Sequence, residues 1–352
     1  ADGDGLSDAD ETNVYGTDPY DFDSDGDGFS DGSEVLANTD PLDSESVIDG
    51  IYVVVGERTE VEENFAFELR IQRGDIAFVT DTTGSMGGTI SAVKTSYTTI
   101  VSDVEDQFED VAGGAAEFDD YHHLSYGSGS DKPFRLTKGI TTDTASVTSS
   151  ISSWMASGGA DGPESSTEAL YQAASGMGYD QNCNGSYDSE DDVLPFLDDP
   201  SDAFGGGEGE SYDSTLAGSG IRGGFGFRDY SLPIIIYATD NYMRDPEHPS
   251  GSYNGTPGGC PQDAGSSDVA SALDDLGGYI IGLDVTGGNA SSTYGPFKQM
   301  MSLAALTNSY ADIDGDGDVD DELVWSLKQS SPTFAADFSD FVVTAIDQLV
   351  SS

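Results

Sequence analysis

The sequence predicts an α/β fold, a doubly wound and mostly parallel sheet, preceded by a small acidic segment with little core of its own. Three observations carry that prediction. The runs DIAFV (75–79), LPIIIYA (232–238) and GYIIGLDV (278–285) are short and almost continuously apolar, as strands buried on both faces of a parallel sheet are. Stretches of helical periodicity separate them, as parallel crossovers require. Residues 1–49, by contrast, are dense in Asp, Gly and Ser, so apolar burial there does not offset chain entropy.

Taken in order, strands are expected over 51–55, 64–71 and 75–80, then a helix over 85–108 and a strand over 115–119. Helices follow over 144–155 and 165–175, a strand from 232, a helix over 267–276 and a strand over 278–285. Helices over 297–306 and 333–349 close the pattern. Two domains result, 1–49 and 50–352, the second carrying an insert at about 177–230, too long for an ordinary connection, and a Gly- and Pro-rich one at about 241–266.

Composition narrows the function classes. With 12 Lys+Arg against 66 Asp+Glu the formal charge is −54, which leaves no basic footprint for a phosphate backbone and argues against nucleic acid. So many carboxylates need bound cations, high external salt, or both. No apolar run approaches the roughly 18 residues of a membrane span. The pair Cys183 and Cys260 suits one disulfide in an oxidising compartment, with two free thiols as the alternative.

The acids of the first domain are ordered. In DSDGDGFSDGSE, oxygen side chains fall at loop positions 1, 3, 5 and 9 (Asp23, Asp25, Asp27, Asp31), glycine at 6 (Gly28) and a carboxylate at 12 (Glu34). Calcium takes six to eight hard oxygen ligands, and a glycine at position 6 allows the turn that brings alternate side chains inward. DGDGLSDADE repeats positions 3 to 12 with Asp2, Asp4, Asp8 and Glu11 and lacks the position 1 acid; the chain is therefore expected to start at a boundary within a loop. Glu11 and Glu34 stand 23 residues apart, and each copy is followed by a similar turn, YGTDP or NTDP. This segment resembles the thrombospondin type 3 repeat family, whose loops wrap calcium with little hydrophobic core. A disordered acidic linker is the alternative, and without calcium it becomes the expected state.

In the second domain the run DIAFV leads into DTTGSM (81–86). In doubly wound sheets ligands sit outside the carboxyl ends of the strands, which is where Asp81, Thr83 and Ser85 fall. A later strand ends in Asp240 (IIIYATD), and between the two SGGADGPESSTEAL carries Asp161 and Glu164. The three pieces in this order resemble the von Willebrand factor A domain family and its metal-ion-dependent adhesion site. The resemblance implies a divalent ion, Mg²⁺, Ca²⁺ or Mn²⁺, bound by the Thr83 and Ser85 hydroxyls, with Asp81 and Asp240 holding it directly or through water. The middle loop departs from the commonest family pattern, which supplies a threonine; its DGPE looks like the integrin β-subunit variant, making Glu164 the ligand and Asp161 a candidate for a neighbouring calcium site. A polar turn in which Asp81 and Ser85 only cap the next helix is the plainer alternative.

Two further loops carry the calcium spacing. DQNCNGSYDSED places Asp180, Asn182, Asn184, Asp188 and Asp191 at positions 1, 3, 5, 9 and 12 with Gly185 at 6. DIDGDGDVDDEL places Asp312, Asp314, Asp316 and Asp320 at 1, 3, 5 and 9, but Leu323 stands at position 12 and Glu322 comes one residue early. A disulfide between Cys183 and Cys260 would tie the two inserts together.

Other signals are weaker. The glycines 218, 220 and 223 follow no strand, the three histidines lack zinc spacing, and Ser85 has neither a nucleophile elbow nor a histidine partner. The expectation is an extracellular or cell-surface, calcium-stabilised adhesion module, not an enzyme, which binds a protein or glycan ligand offering a carboxylate. The alternative is a structural subunit of a calcium-dependent surface layer, filament or matrix, whose partners are neighbouring copies.

Overall fold

The structure is a computed structural model. It describes all residues except 1, 38, 45, 47–72, 106, 123–125, 161, 189–191, 197–214, 251–257, 261–262, 288–294 and 352. The strands expected over 51–55 and 64–71 lie outside the described residues, as do Asp161 and Asp191. The chain forms two compact units, Ala1–Glu68 and Leu69–Ser352.

In the first unit the regular elements are a single turn α1 (Asp8–Asp10), a π-helical turn (Glu11–Tyr15) and α2 (Asp31–Ala37). Among its described residues Pro41 is the one apolar side chain that is buried; the buried polar side chains are Asp4, Glu11, Thr17, Ser30, Asp31 and Glu34. The two repeats interlock through polar groups. The Gly32 N–H donates to Asp4 Oδ2 at 3.0 Å, and a Cβ at residue 32 would sit 2.3 Å from the Asp4 carbonyl oxygen.

The second unit contains β1 (Arg73–Asp81), α3 (Gly87–Val104), β2 (Asp110–Phe118), β3 (Arg135–Thr141), α4 (Thr144–Ser153), β4 (Pro163–Glu164) and α5 (Ser166–Ser175). There follow β5 (Leu232–Thr239), β6 (Tyr242–Met243), α6 (Ser266–Leu276), β7 (Tyr279–Asp284), α7 (Pro296–Leu306), β8 (Tyr310–Ala311), β9 (Asp321–Glu322), β10 (Val324–Ser326) and α8 (Phe334–Ser351). The main sheet has the order β10-β7-β5-β1-β2-β3, with every pair parallel except β2 with β3. The fold is thus the doubly wound α/β class that the apolar runs predict.

Side-chain alternation along β1 divides the core. Ile76 and Phe78 pack with α3, α4 and α8 on one face, whereas Ala77 and Val79 pack with α5, α6 and α7 on the other. Strand order reverses direction between β1 and β5, so the crevice above their carboxyl ends is the topological switch point, the place where such sheets bind ligands. Two strands of the main sheet escape the sequence reading, as do the two-residue strands β4, β6, β8 and β9. β3 is a half-buried edge with a polar sequence, and β10 is only three residues long. β2 begins earlier than expected because its Gly113 and Gly114 are hidden from a propensity reading; Tyr97 and Phe225 pack where their side chains would be, at 2.0 and 2.7 Å from a Cβ built there.

Candidate metal centres

Three separate segments meet at the switch point. Asp81, the last residue of β1, is fully buried. Its Oδ1 accepts from the Thr83 N–H at 2.8 Å and from Thr83 Oγ1 at 2.7 Å, and its Oδ2 accepts from Thr239 Oγ1 at 2.6 Å. Ser85 Oγ donates to Asp240 Oδ1 at 2.9 Å across the crevice. The middle loop arrives through a two-stranded ribbon of β4 and β6, which sets Glu164 beside the segment following Asp240; Asn241 Nδ2 donates to Glu164 Oε1 at 3.2 Å. Gly158 and Gly159 are left-handed, with φ of 77° and 72°, and a Cβ on Gly159 would lie 3.2 Å from Thr83 Cβ and 3.8 Å from Glu164 Oε1. Asp131 holds that turn by accepting from the Gly159 N–H at 2.8 Å.

These contacts suit a hard cation. A hydroxyl that gives its proton to a carboxylate turns its lone pairs elsewhere, and all the donor atoms are oxygen. Burial pushes the Asp81 carboxyl up to about 7; hydrogen bonds from Thr239 and Thr83 oppose this and the charge of Asp240 adds to it. Burial also raises Asp240, against the hydrogen bond from Ser85. Among the described residues no basic side chain forms an ion pair with Asp81 or Asp240. The nearby Arg244 instead donates to the Pro163 carbonyl at 3.0 Å, lies 3.9 Å from Asp120 and stacks on Tyr126 at 4.2 Å.

The site differs from the acidic loops in one respect. Three acidic triplets have oxygens within 4.8 Å of one another among the described residues: Asp2/Asp4/Glu11, Asp23/Asp25/Asp27 and Asp312/Asp314/Asp316. Asp81, Glu164 and Asp240 are not such a triplet, so an ion held there would draw on hydroxyl or water oxygens as well. Thr239 and Asn241 are the neighbours that the motif reading overlooks. Both flank Asp240 in YATDNY, and that adjacency is the signal that points to them.

The calcium-spaced loops share a local geometry. The position 6 glycine N–H donates to the position 1 carboxylate in the second, third and fourth loops: Gly28 to Asp23 at 2.8 Å, Gly185 to Asp180 at 2.8 Å and Gly317 to Asp312 at 3.1 Å. Position 4 is left-handed in all four loops, occupied by Gly3, Gly26, Cys183 and Gly315. In the second loop the position 9 acid Asp31 closes the ring by accepting from Ser24 N and Oγ at 2.8 and 2.6 Å. In the third loop, where Asn182 and Asn184 replace acids and Asp188 is exposed, closure falls to Asp192, which accepts from Gln181 N at 2.9 Å. In the fourth it falls to Asp321, which accepts from Ile313 N and Asp314 N at 3.0 Å each, while Asp320 is exposed.

The repeats pass the strictest test of fit. Glu11 and Glu34 are fully buried, and neither oxygen of either carboxylate has a hydrogen-bond partner among the described residues. Burial, reinforced by Asp25, Asp27, Asp31 and Asp23, pushes Glu34 up to about 7. Buried acids without partners are costly unless a cation joins them. Cys183 and Cys260 form a disulfide with Cα atoms 5.2 Å apart, and the Asp180 and Cys260 backbones pair beside it, so the two inserts are joined.

Comparison with known proteins agrees on the first unit: residues 2–21 and 23–44 match the family described as Bacterial TSP3 repeat. No curated protein matches the chain. Among solved structures, similar ones include the pilus adhesin SpaC from Lactobacillus rhamnosus GG, at 10% identity and a TM-score of 0.41, covering 80% of this chain and 31% of that one. Another is proximal thread matrix protein 1 from the mussel byssus, at 14% identity and a TM-score of 0.38, covering 78% and 46%. A form of the latter with a zinc-occupied MIDAS motif matches at 13% identity and a TM-score of 0.38, covering 78% and 45%. The chain spans less than half the length of these structures. Among the described residues no helix is long and apolar enough to cross a membrane.

Proposed function

We propose that the second unit is an ion-dependent binding module of an extracellular or cell-surface protein, and that calcium orders the repeats before it. One observation carries this reading: Asp81, fully buried at the switch point, is met by hydroxyls and an N–H and, among the described residues, forms no ion pair with a basic side chain. Thr83, Ser85, Asp81, Asp240 and Glu164 are the residues that would hold the ion. A divalent ion bound by such a mixed set keeps uncancelled positive charge and exchangeable positions, so it attracts a carboxylate of a protein or glycan partner. Thr239 orients Asp81 and Asn241 orients Glu164. The module binds rather than catalyses.

The test uses Asp81→Asn and Ser85→Ala in the full chain. In wild type, Mn²⁺ or Mg²⁺ at 100 times its Kd raises stability by about 2.7 kcal/mol through linkage, and binding to a panel of acidic peptides and sialylated glycans requires the ion. Both variants are expected to lose the ion-induced rise in Tm and the panel binding while staying folded in chelator. Variants that behave as wild type sink the reading. A second reading, assembly with neighbouring copies, is favoured by exposed apolar side chains on the repeats, Leu36 at 90% and Tyr20 at 83%. Calcium-dependent oligomers in light scattering support it, and monomers at every calcium concentration oppose it.

A further inference from the structure

We propose that Gln329 is a positioning residue of the strand-end site, holding Asp240 and the start of α3 in the arrangement an ion needs. The inference rests on the reading of that site given above.

Helix α3 begins without a local cap. Met86 stands at its N-cap position and makes no side-chain hydrogen bond, although the first N–H groups of any helix lack partners within it. Gln329, far away in the chain, supplies the acceptor: its Oε1 takes the Gly88 N–H at 2.8 Å and the Thr89 N–H at 3.2 Å. A Cβ at residue 88 would lie 2.6 Å from that oxygen, so glycine is what permits the approach.

Committing Oε1 to the helix decides the rest of the amide, because only Nε2 remains to donate. The Gln329 side chain lines the same cleft as the Asp240 carboxylate and favours its charged form, and Asp240 Oδ1 accepts from Ser85 Oγ at 2.9 Å. One neutral side chain therefore caps the helix that follows DTTGSM and lies beside the acid that follows β5. Its own backbone is fixed, since the Gln329 N–H donates to the Val285 carbonyl at 3.2 Å and the Leu327 N–H to the Asp284 carbonyl at 2.7 Å. Gln329, Gly88 and Asp240 line one cleft of about 390 Å³, on the side from which a partner group would approach. The neutrality matters, because a lysine at this position would orient Asp240 equally well but would compete with the ion for its charge.

Manganese binding to the full chain, followed by electron paramagnetic resonance and calorimetry, tests the role. The Mn²⁺ equivalent that disappears in Asp81→Asn defines the strand-end site. Gln329→Met is expected to weaken that equivalent about tenfold, as loss of an outer hydrogen-bond partner to a metal ligand does, and to leave the remaining equivalents unchanged. In an Asp240→Asn background Gln329→Met should cause no further loss, because its action runs through Asp240. Gln329→Asn, one methylene too short to span both partners, should show the same loss at a smaller cost in Tm. A Gln329→Met protein with lowered Tm but unchanged affinity at that equivalent, or an equal loss in the Asp240→Asn background, overturns the proposal and leaves the site reading intact. If Asp81→Asn removes no Mn²⁺ equivalent, both fall together.

Discussion

Strand β1 carries a buried aspartate near each end, and the two are held in opposite ways. Asp75, near the amino end, is fully buried and meets Arg228: Nε lies 2.7 Å from Oδ1, the Arg228 N–H donates to Oδ2 at 2.7 Å, and Ser231 Oγ adds a bond at 2.8 Å. Asp81, at the carboxyl end, is equally buried, but its hydrogen-bond partners among the described residues are two hydroxyls and one N–H. Burial raises both carboxyls. The pole that only holds the fold together therefore supplies its own countercharge, whereas in the function proposed above the pole at the switch point takes its countercharge from a bound ion. The repeats carry the second condition to its limit, with Glu11 and Glu34 buried and no apolar core beneath them.

The largest expected effect follows from that limit. Chelation should unfold the first unit while the second retains its sheet, seen as rapid proteolysis confined to residues before the sheet and as loss of a calcium-dependent calorimetric transition. Glu34→Gln should reproduce much of the loss in calcium; a first unit that resists protease equally in chelator and calcium breaks the comparison. Next in size is Arg228→Met, which strands Asp75 in the interior and should cost about 3–5 kcal/mol in urea unfolding. That cost should be indifferent to Mn²⁺, and Asp75→Asn in the same background should recover part of it. If Mn²⁺ offsets the loss, the amino-end pole is not self-sufficient and the contrast fails.

Much of this arrangement was readable from residue order. Apolar runs place β1, β5 and β7 because strands buried on both faces need continuous apolar side chains, and glycine at position 6 marks each acidic loop because the turn needs it. β3 and β2 were harder for related reasons: Lys138 and Thr137 disguise an edge, and Gly113 and Gly114 make room for Tyr97 and Phe225, which no local pattern reveals. The same limit applies at the candidate metal centres. Asp81, Thr83 and Ser85 announce themselves within one short motif, but Gln329 meets Gly88 only after the chain has crossed the whole sheet. Asp321 closes the fourth loop in place of Asp320 because β9 pairs with β8 and fixes which of two adjacent acids turns inward. Spacing alone cannot distinguish them.

The smallest effect concerns an acid intermediate between the two poles. Asp263 is buried, and neither of its oxygens has a hydrogen-bond partner among the described residues. Burial pushes it up to about 6; the Arg244 charge opposes the shift and Asp245 adds to it. Its neighbour Ala264 donates to Glu168 Oε2 at 2.6 Å, and burial pushes Glu168 up to about 7, while Tyr121 and Tyr179 face both acids. A carboxyl that holds its proton more tightly when folded contributes stability that is complete below its ordinary value of 3.8 and lost as pH rises through about 6. Asp263→Asn removes that loss. Its Tm should match wild type near pH 4 and exceed it by a few degrees at pH 8, with the remaining decline up to about 7 belonging to Glu168. The difference between the two proteins, measured across pH in saturating calcium, isolates Asp263 from every other titrating acid. A difference that does not change with pH would mean that Arg244 already neutralises Asp263 as completely as Arg228 neutralises Asp75, placing it with the structural pole.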